Sequence, residues 1–242
     1  MIKSAEELIV PLTDPDSSIA LPDPKSDGNV LSDIAYRAIL DALFRGELQT
    51  GDTVNEVSFA RLLKMSRSPV HVAVRDLIRD GLLEHEAGRR PSVSQMTRND
   101  LSEIFEMRCL LEGEAAFRAA EGMDRQTMQR LEAGLDSLRG QPENADLLIA
   151  WTGIDDAFHE AIAISSNHKR LASDILRYRR IHHALNSIRM QPKLVAQAAD
   201  EHRTILRSLA DRNREGARNN MHLHLKEWQA YYVHLIATAP VA

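Results

Sequence analysis

Cysteine is nearly absent from this 242-residue chain, which contains Cys109 and no second thiol. An internal disulfide is therefore excluded. Long hydrophobic runs are also missing, because polar residues interrupt every apolar window before the roughly 18 residues that mark a transmembrane helix. The N-terminus has no basic segment followed by an apolar one, as a secretory signal would. We therefore expect a cytoplasmic protein that does not span a membrane.

Aromatic residues are scarce at 5%, whereas 43% of the chain is hydrophobic and 27% is charged, as in ordinary globular proteins. The net charge of −5 argues against nucleic-acid binding by the chain as a whole. The charge is unevenly distributed, however. Residues 58–79 carry a formal charge of +4, from Arg61, Lys64, Arg67, Arg75 and Arg79 against Asp76. Such a local excess is typical of a protein in which one part meets phosphates.

Apolar spacing divides the chain into three parts. Residues 1–28 are rich in proline and polar residues, which predicts a flexible arm. Residues 29–96 show a helix, a pair of short helices and two short strands joined by a hairpin, a pattern that predicts a winged helix-turn-helix with a small β-wing. Residues 97–238 are almost continuously helical and predict an all-α antiparallel bundle. The predicted breaks in this bundle lie at Gly122, 140–142, 166–167, Pro192 and Gly216. The fold class is therefore mainly α.

The second helix of the short pair has the features of a DNA recognition helix. Ser66 can cap it, Pro69 suits its first turn, and Arg67 and Ser68 lie at its leading end. The N-terminal end of such a helix reaches base edges, and its backbone amides favour phosphate. Single arginines on a short helix are often merely solvated, but solvation does not require an ordered set of helix, helix pair and wing.

Three segments, 46–56, 59–70 and 74–83, resemble the GntR family of bacterial regulators in order and spacing, and the wing tip at Gly88 completes the match. The resemblance implies that Arg67 and Ser68 contact DNA and that Gly88 approaches the minor groove. Most members have Arg where this chain has His71, which is shorter and mostly neutral at pH 7. Arg75, one turn further along, is a candidate for a substitute phosphate contact, although it projects from a different height on the helix. A homodimer on double-stranded operator DNA is expected, because one recognition helix reads few base pairs.

Histidines recur in the helical half on inward faces. Asp155 and His159 are separated by four residues and project from one face of one helix. His202 lies on an apolar stripe, and so does His224, whereas the phase of the helix leaves His222 in solvent. A core histidine is usually satisfied by one hydrogen bond, but several buried imidazoles around an aspartate favour a shared divalent transition metal ion, with zinc or nickel as candidates.

The frame around these ligands, over about 101–235, resembles the C-terminal domain of the FadR branch of the same family. The resemblance implies a metal ion held by Asp155, His159, His202 and His224 at the bottom of an effector pocket. It also implies a small organic acid or sugar acid as the effector. Arg108 is a candidate carboxylate partner, with the alternative that it pairs with Glu112 four residues on.

Three functions are consistent with these residues. The first is a regulator whose operator affinity responds to a carboxylate, and the second is a regulator for which the ion itself is the signal. The third is a metal-dependent hydrolase, which needs a general base beside the ion. The nearest further carboxylate, Asp156, is turned by about 100° from Asp155. A helix-turn-helix serves no purpose in a hydrolase, and we therefore expect that the protein is not an enzyme.

Overall fold

The computed structural model describes the backbone of residues 28–238 and the side chains of residues 30–235. The arm predicted for residues 1–28 lies outside the described residues, apart from Gly28. The chain divides into two compact units between Met96 and Thr97.

The described part of the first unit contains three helices and a two-stranded sheet. They are α1 (Gly28–Phe44), α2 (Glu56–Leu62), α3 (Arg67–Arg79), β1 (Leu83–Glu84) and β2 (Ser92–Val93). The strands are antiparallel, with Leu83 opposite Val93, and an isolated bridge joins Thr53 to Ser92. This hairpin is the predicted wing.

The core of the first unit forms where α1 packs on α3. Its buried members include Tyr36, Ile39, Leu40, Val70, Val74 and Leu77. Asn55 caps α2 by accepting hydrogen bonds from the amides of Val57 and Ser58. Ser66 occupies the N-cap position of α3, but its side chain makes no capping hydrogen bond. The expected role of the Ser66 hydroxyl as a cap is therefore wrong, although the helix begins where predicted.

The second unit is a bundle of six α-helices within the described range. They are α4 (Arg98–Gly122), α5 (Arg125–Ser137), α6 (Ala145–Ser165), α7 (Lys169–Arg189), α8 (Val195–Ala210) and α9 (Arg214–Thr238), with a 3-10 turn at Pro192–Leu194. Thr97 and Asp100 form a capping box that starts α4, and Asn144 caps α6. The predicted break at Gly216 is wrong. The helix begins two residues earlier, and Asn213 accepts a hydrogen bond from the Gly216 amide.

The two longest helices, α4 and α9, run antiparallel along each other. Gln229 reaches the backbone and hydroxyl oxygens of Ser102 at one end, and Arg218 pairs with Glu114 nearer the other. Between these contacts His222 lies directly against Gly113, where a β-carbon would collide with its ring. The expectation that His222 stands in solvent is therefore wrong, because the absent side chain of Gly113 admits it between the helices.

Fold class follows from these observations. The described residues form a winged helix-turn-helix and an antiparallel helical bundle, which confirms a mainly α protein. None of the described helices is long and apolar enough to cross a membrane.

Candidate metal centre and nucleic-acid interface

Three helices bring one carboxylate and three imidazoles to a single point in the bundle. Asp155 and His159 come from α6, His202 from α8 and His224 from α9, and all four are buried. Asp155 Oδ1 lies 3.6 Å from His159 Nε2 and 3.5 Å from His202 Nε2. The Nε2 atoms of His202 and His224 are 3.3 Å apart. One ligand atom from each residue lies within 4.8 Å of the others.

The outer nitrogens of two of these histidines have carboxylate partners. His159 Nδ1 contacts Glu112, and His224 Nδ1 lies 2.7 Å from Glu201 Oε2. A carboxylate accepts a proton donor, so each imidazole carries its proton on Nδ1 and directs the Nε2 lone pair inward. His202 differs, because its Nδ1 is buried without a hydrogen-bond partner. Its ring stacks on the ring of Phe158, with the two centroids 4.0 Å apart.

The protonation state of the cluster suits metal ligation. Burial lowers the pKa of His159 to about 4, with the charge of Arg179 adding to the effect. Burial also lowers the pKa of His202 well below its ordinary value. Both rings are therefore neutral near pH 7 and keep a free lone pair. His159 Nε2 is buried with no hydrogen-bond partner, an arrangement that costs free energy unless a cation accepts the lone pair. The residues present fit a divalent ion with nitrogen and oxygen ligands.

Arg108 lies in the core of the bundle on α4 and is 1% exposed. Its Nε donates to Glu112 Oε1 at 2.7 Å, so the expected pairing four residues along the helix exists. Its Nη1 and Nη2 are buried without partners. Pairing with Glu112 thus uses one of the three guanidinium nitrogens and leaves the other two for a further acceptor.

Sequence reasoning missed Arg179, which is buried beside the cluster. Its Nη2 donates at 2.6 Å to Asp155 Oδ2 and at 2.6 Å to Asp156 Oδ1. Asn186 also donates to Asp155 Oδ2, at 3.2 Å. Two donors therefore occupy Oδ2, and Oδ1 is left to face the histidines. A signal existed in the sequence, since Arg179, His182 and Asn186 fall at i, i+3 and i+7 on one face of α7.

Asp156 does not face the ligand atoms. Besides Arg179 it contacts His183 Nδ1, and these partners, against the opposing effect of burial, lower its pKa to about 2. The Asp156 carboxylate is therefore engaged by Arg179 and His183. This arrangement agrees with the expected rotation of Asp156 away from Asp155.

A narrow cavity adjoins the cluster. Its walls include Asp155, His224, His182, Asn186 and Tyr232. Its free volume is about 10 Å³, which is room for about one water molecule.

In the first unit the predicted DNA contacts are exposed. Arg67 and Ser68 stand at the N-terminus of α3, with Arg75 two turns further on, and Gly88 occupies the hairpin tip with φ +80°. His71 is exposed as well, but its Nδ1 lies 2.9 Å from Glu56 Oε1 at the start of α2. Exposure leaves these side chains accessible to a partner.

The fold defines a class of protein, a winged helix-turn-helix protein with a helical C-terminal domain. The chain belongs to the GntR family in its FadR-type branch, and the FCD domain matches residues 103–227. The HTH-type transcriptional regulator YdhC of Bacillus subtilis is 25% identical over 207 residues, covering 83% of this chain and 90% of the relative. An HTH-type transcriptional regulator from the TAR-I ttuE-ttuC' intergenic region of Agrobacterium vitis is 31% identical over 131 residues. The match covers 53% of this chain and 76% of that relative.

Solved structures agree with this fold. The structure of McbR/YncC from E. coli superposes with a TM-score of 0.71 at 20% identity, covering 87% of this chain and 99% of that one. This likeness concerns the fold, while the family match and the related sequences identify the chain as a transcriptional regulator.

Proposed function

We propose that this regulator binds operator DNA with an affinity set by a small carboxylate held at a metal ion in the helical unit. The observation that carries the proposal is the convergence of Asp155, His159, His202 and His224 on one buried point. A divalent ion held by these four residues, with zinc and nickel as the candidates, would polarise an oxygen ligand and hold it in place. Residues 29–96 form the DNA-binding domain in this proposal, and residues 97–238 the sensing domain.

Arg108 supplies the second attachment point for the acid. Its two unpartnered guanidinium nitrogens are the kind of donor pair that carboxylates accept in a forked geometry. A buried guanidinium with unused donors is unfavourable, and an anion bound within reach of these donors would remove that cost. An acid bound between the ion and Arg108 would contact α4, α6, α8 and α9 together, directly or through the ion, and would shift the balance between arrangements of these helices.

On the DNA side, Arg67 and Ser68 reach the bases and phosphates, Arg75 contacts the backbone, and Gly88 brings the wing to the minor groove. His71 replaces the arginine that is usual in the family, and its contact with Glu56 holds the ring on the protein surface. We propose that the chain acts as a homodimer on a two-fold operator, since two half-sites multiply the affinity of one short helix.

One observation favours a second candidate, in which the ion itself is the signal. The cavity beside the cluster has room for about one water molecule as it stands, so an organic acid must displace side chains to enter. A regulator of this second kind would change its operator affinity with nickel or zinc alone.

The test is the double variant in which His202 and His224 are both replaced by Ala. The control is His222→Ala, on the same helix as His224. We expect the double variant to lose its metal in elemental analysis and to lose the effect of added acids on operator binding, while the control keeps both. A coupling of about 1–3 kcal/mol corresponds to a change in operator affinity of roughly 5- to 150-fold. A double variant that still holds one ion per chain contradicts the ligand assignment. Parent protein that responds to metal without acid supports the second candidate.

A further inference from the structure

A fourth buried histidine adjoins the cluster formed by Asp155 and the three histidines, without belonging to it. His182 lies on α7, is 6% exposed, and lines the cavity beside Asp155. Its ring stands edge-on to Phe105 and Tyr232, at interplanar angles of 80° and 88°. These contacts hold the plane of the imidazole in one orientation. The ring nitrogens of His182 therefore donate or accept hydrogen bonds in defined directions.

The tautomer of His182 follows from its neighbour. Arg179 Nη1 lies 3.1 Å from His182 Nδ1, and a guanidinium nitrogen can donate but never accept. Nδ1 must accept this hydrogen bond, so it carries no proton. The longer approach of Nδ1 to Asp155 Oδ2, 3.6 Å, would need a proton on the same nitrogen and is not a hydrogen bond at that distance. A neutral His182 therefore has its proton on Nε2.

The neutral state follows from the same contact, because Nδ1 cannot accept a hydrogen bond from Arg179 and also carry a proton. The structure gives no acceptor for the Nε2 proton among the described residues. His182 is also unable to serve as a ligand through Nδ1, which Arg179 occupies. What remains is a hydrogen-bond donor on the wall of the cavity.

We propose that His182 is an effector-binding residue, which donates its Nε2 proton to the second oxygen of a small carboxylate whose first oxygen lies at the metal site. Arg179 acts as a positioning residue that fixes the direction of this donor. The inference rests on the proposed carboxylate-binding function and adds the requirement that the ligand present two acceptor oxygens. An uncharged monodentate ligand such as an amine gains nothing from His182.

Two substitutions separate the two nitrogens of the ring. Asparagine at position 182 places its amide near the former Nδ1, where it accepts from Arg179, but leaves nothing at the Nε2 position. Glutamine reaches the Nε2 position and restores a donor there. We expect nickel-loaded His182→Asn to bind acetate about 10- to 100-fold more weakly than the parent, and His182→Gln to recover most of the affinity. Acetate is chosen because it is small and has two carboxylate oxygens.

Nickel affinity and thermal unfolding are measured on the same proteins, with His222→Asn as a control for loss of a half-buried histidine. Both variants at position 182 should retain nickel as the parent does. Two-bond proton–nitrogen NMR spectra of the parent report the tautomer directly and should show the proton of His182 on Nε2. A proton on Nδ1, or an imidazolium at pH 7, overturns the inference.

The outcomes distinguish this inference from the function on which it rests. If the parent binds nickel and acetate, and His182→Asn binds acetate equally well, the role of His182 is wrong and the proposed function stands. If the nickel-loaded parent does not bind acetate, the carboxylate function fails and the role of His182 fails with it. If nickel does not bind to the parent, the metal site itself is wrong.

Discussion

Replacing Glu112 with Gln tests how His159 is held towards the proposed metal site. Glu112 is buried, accepts from Arg108 Nε at 2.7 Å and contacts His159 Nδ1. Burial alone would raise the pKa of this carboxyl, but the charge of Arg108 and the hydrogen bond from His159 outweigh it and hold the pKa well below its usual range. Glutamine has the same shape and a single acceptor oxygen. It therefore cannot serve Arg108 and His159 at once.

Two losses are expected. Without the carboxylate the proton of His159 is no longer held on Nδ1, and loss of such an outer partner usually weakens metal binding by about 10- to 100-fold. The guanidinium of Arg108 also loses its anion in the core, which costs about 3–5 kcal/mol of unfolding free energy with or without metal.

Chemical unfolding with and without nickel separates these losses. At a nickel concentration about 1,000 times its dissociation constant, the parent gains about 4 kcal/mol of stability from the ion. At the same concentration, a variant with about 100-fold weaker binding gains roughly 1.4 kcal/mol. Glu114→Gln is the matched control. It lies on the same helix at the bundle surface, bonded to Arg118 and Arg218, and should leave the gain from nickel unchanged. A Glu112→Gln protein that gains as much as the parent refutes the role of Glu112 in orienting His159.

Three further predictions concern DNA binding and assembly. Arg67→Ala should weaken operator binding by about 1–3 kcal/mol without changing the melting temperature. The control Arg139→Ala, in the other unit, should leave operator binding unchanged. Equal affinity for the parent and Arg67→Ala would show that Arg67 is merely solvated. His71→Arg should raise operator affinity and steepen its dependence on salt, measured by fluorescence anisotropy; an unchanged slope means that Glu56 retains the new side chain or that position 71 does not meet phosphate. Light scattering at micromolar concentration should report a dimer, and a monomer with full operator affinity would exclude it.

Local sequence patterns were sufficient to define the helices around the site. Helix α6 spans Ala145–Ser165 and α7 spans Lys169–Arg189, between the breaks predicted at 140–142, 166–167 and Pro192. These bounds could be found because a helix buries one face at a period of 3.6 residues and ends where caps and turn residues interrupt it. The same period places Asp155 and His159 on one face, and the structure brings them together with His202 and His224. Family resemblance added the grouping of these four, which spacing alone left open.

Tertiary packing decided which polar groups meet across helices. Periodicity identifies an inward face, but it does not say which inward side chain on a neighbouring helix lies opposite, because that depends on how closely two helices approach and how each is rotated. Gly113 lets α9 approach α4 closely enough to cover His222, which the helical phase alone leaves in solvent. Arg179 reaches both Asp155 and Asp156 across the packed surfaces of α7 and α6, and so determines which oxygen of Asp155 is free and where the proton of His182 lies. Sequence thus determined the helices and their buried faces, whereas the hydrogen-bond partners depend on distances of a few ångströms that only the folded bundle sets.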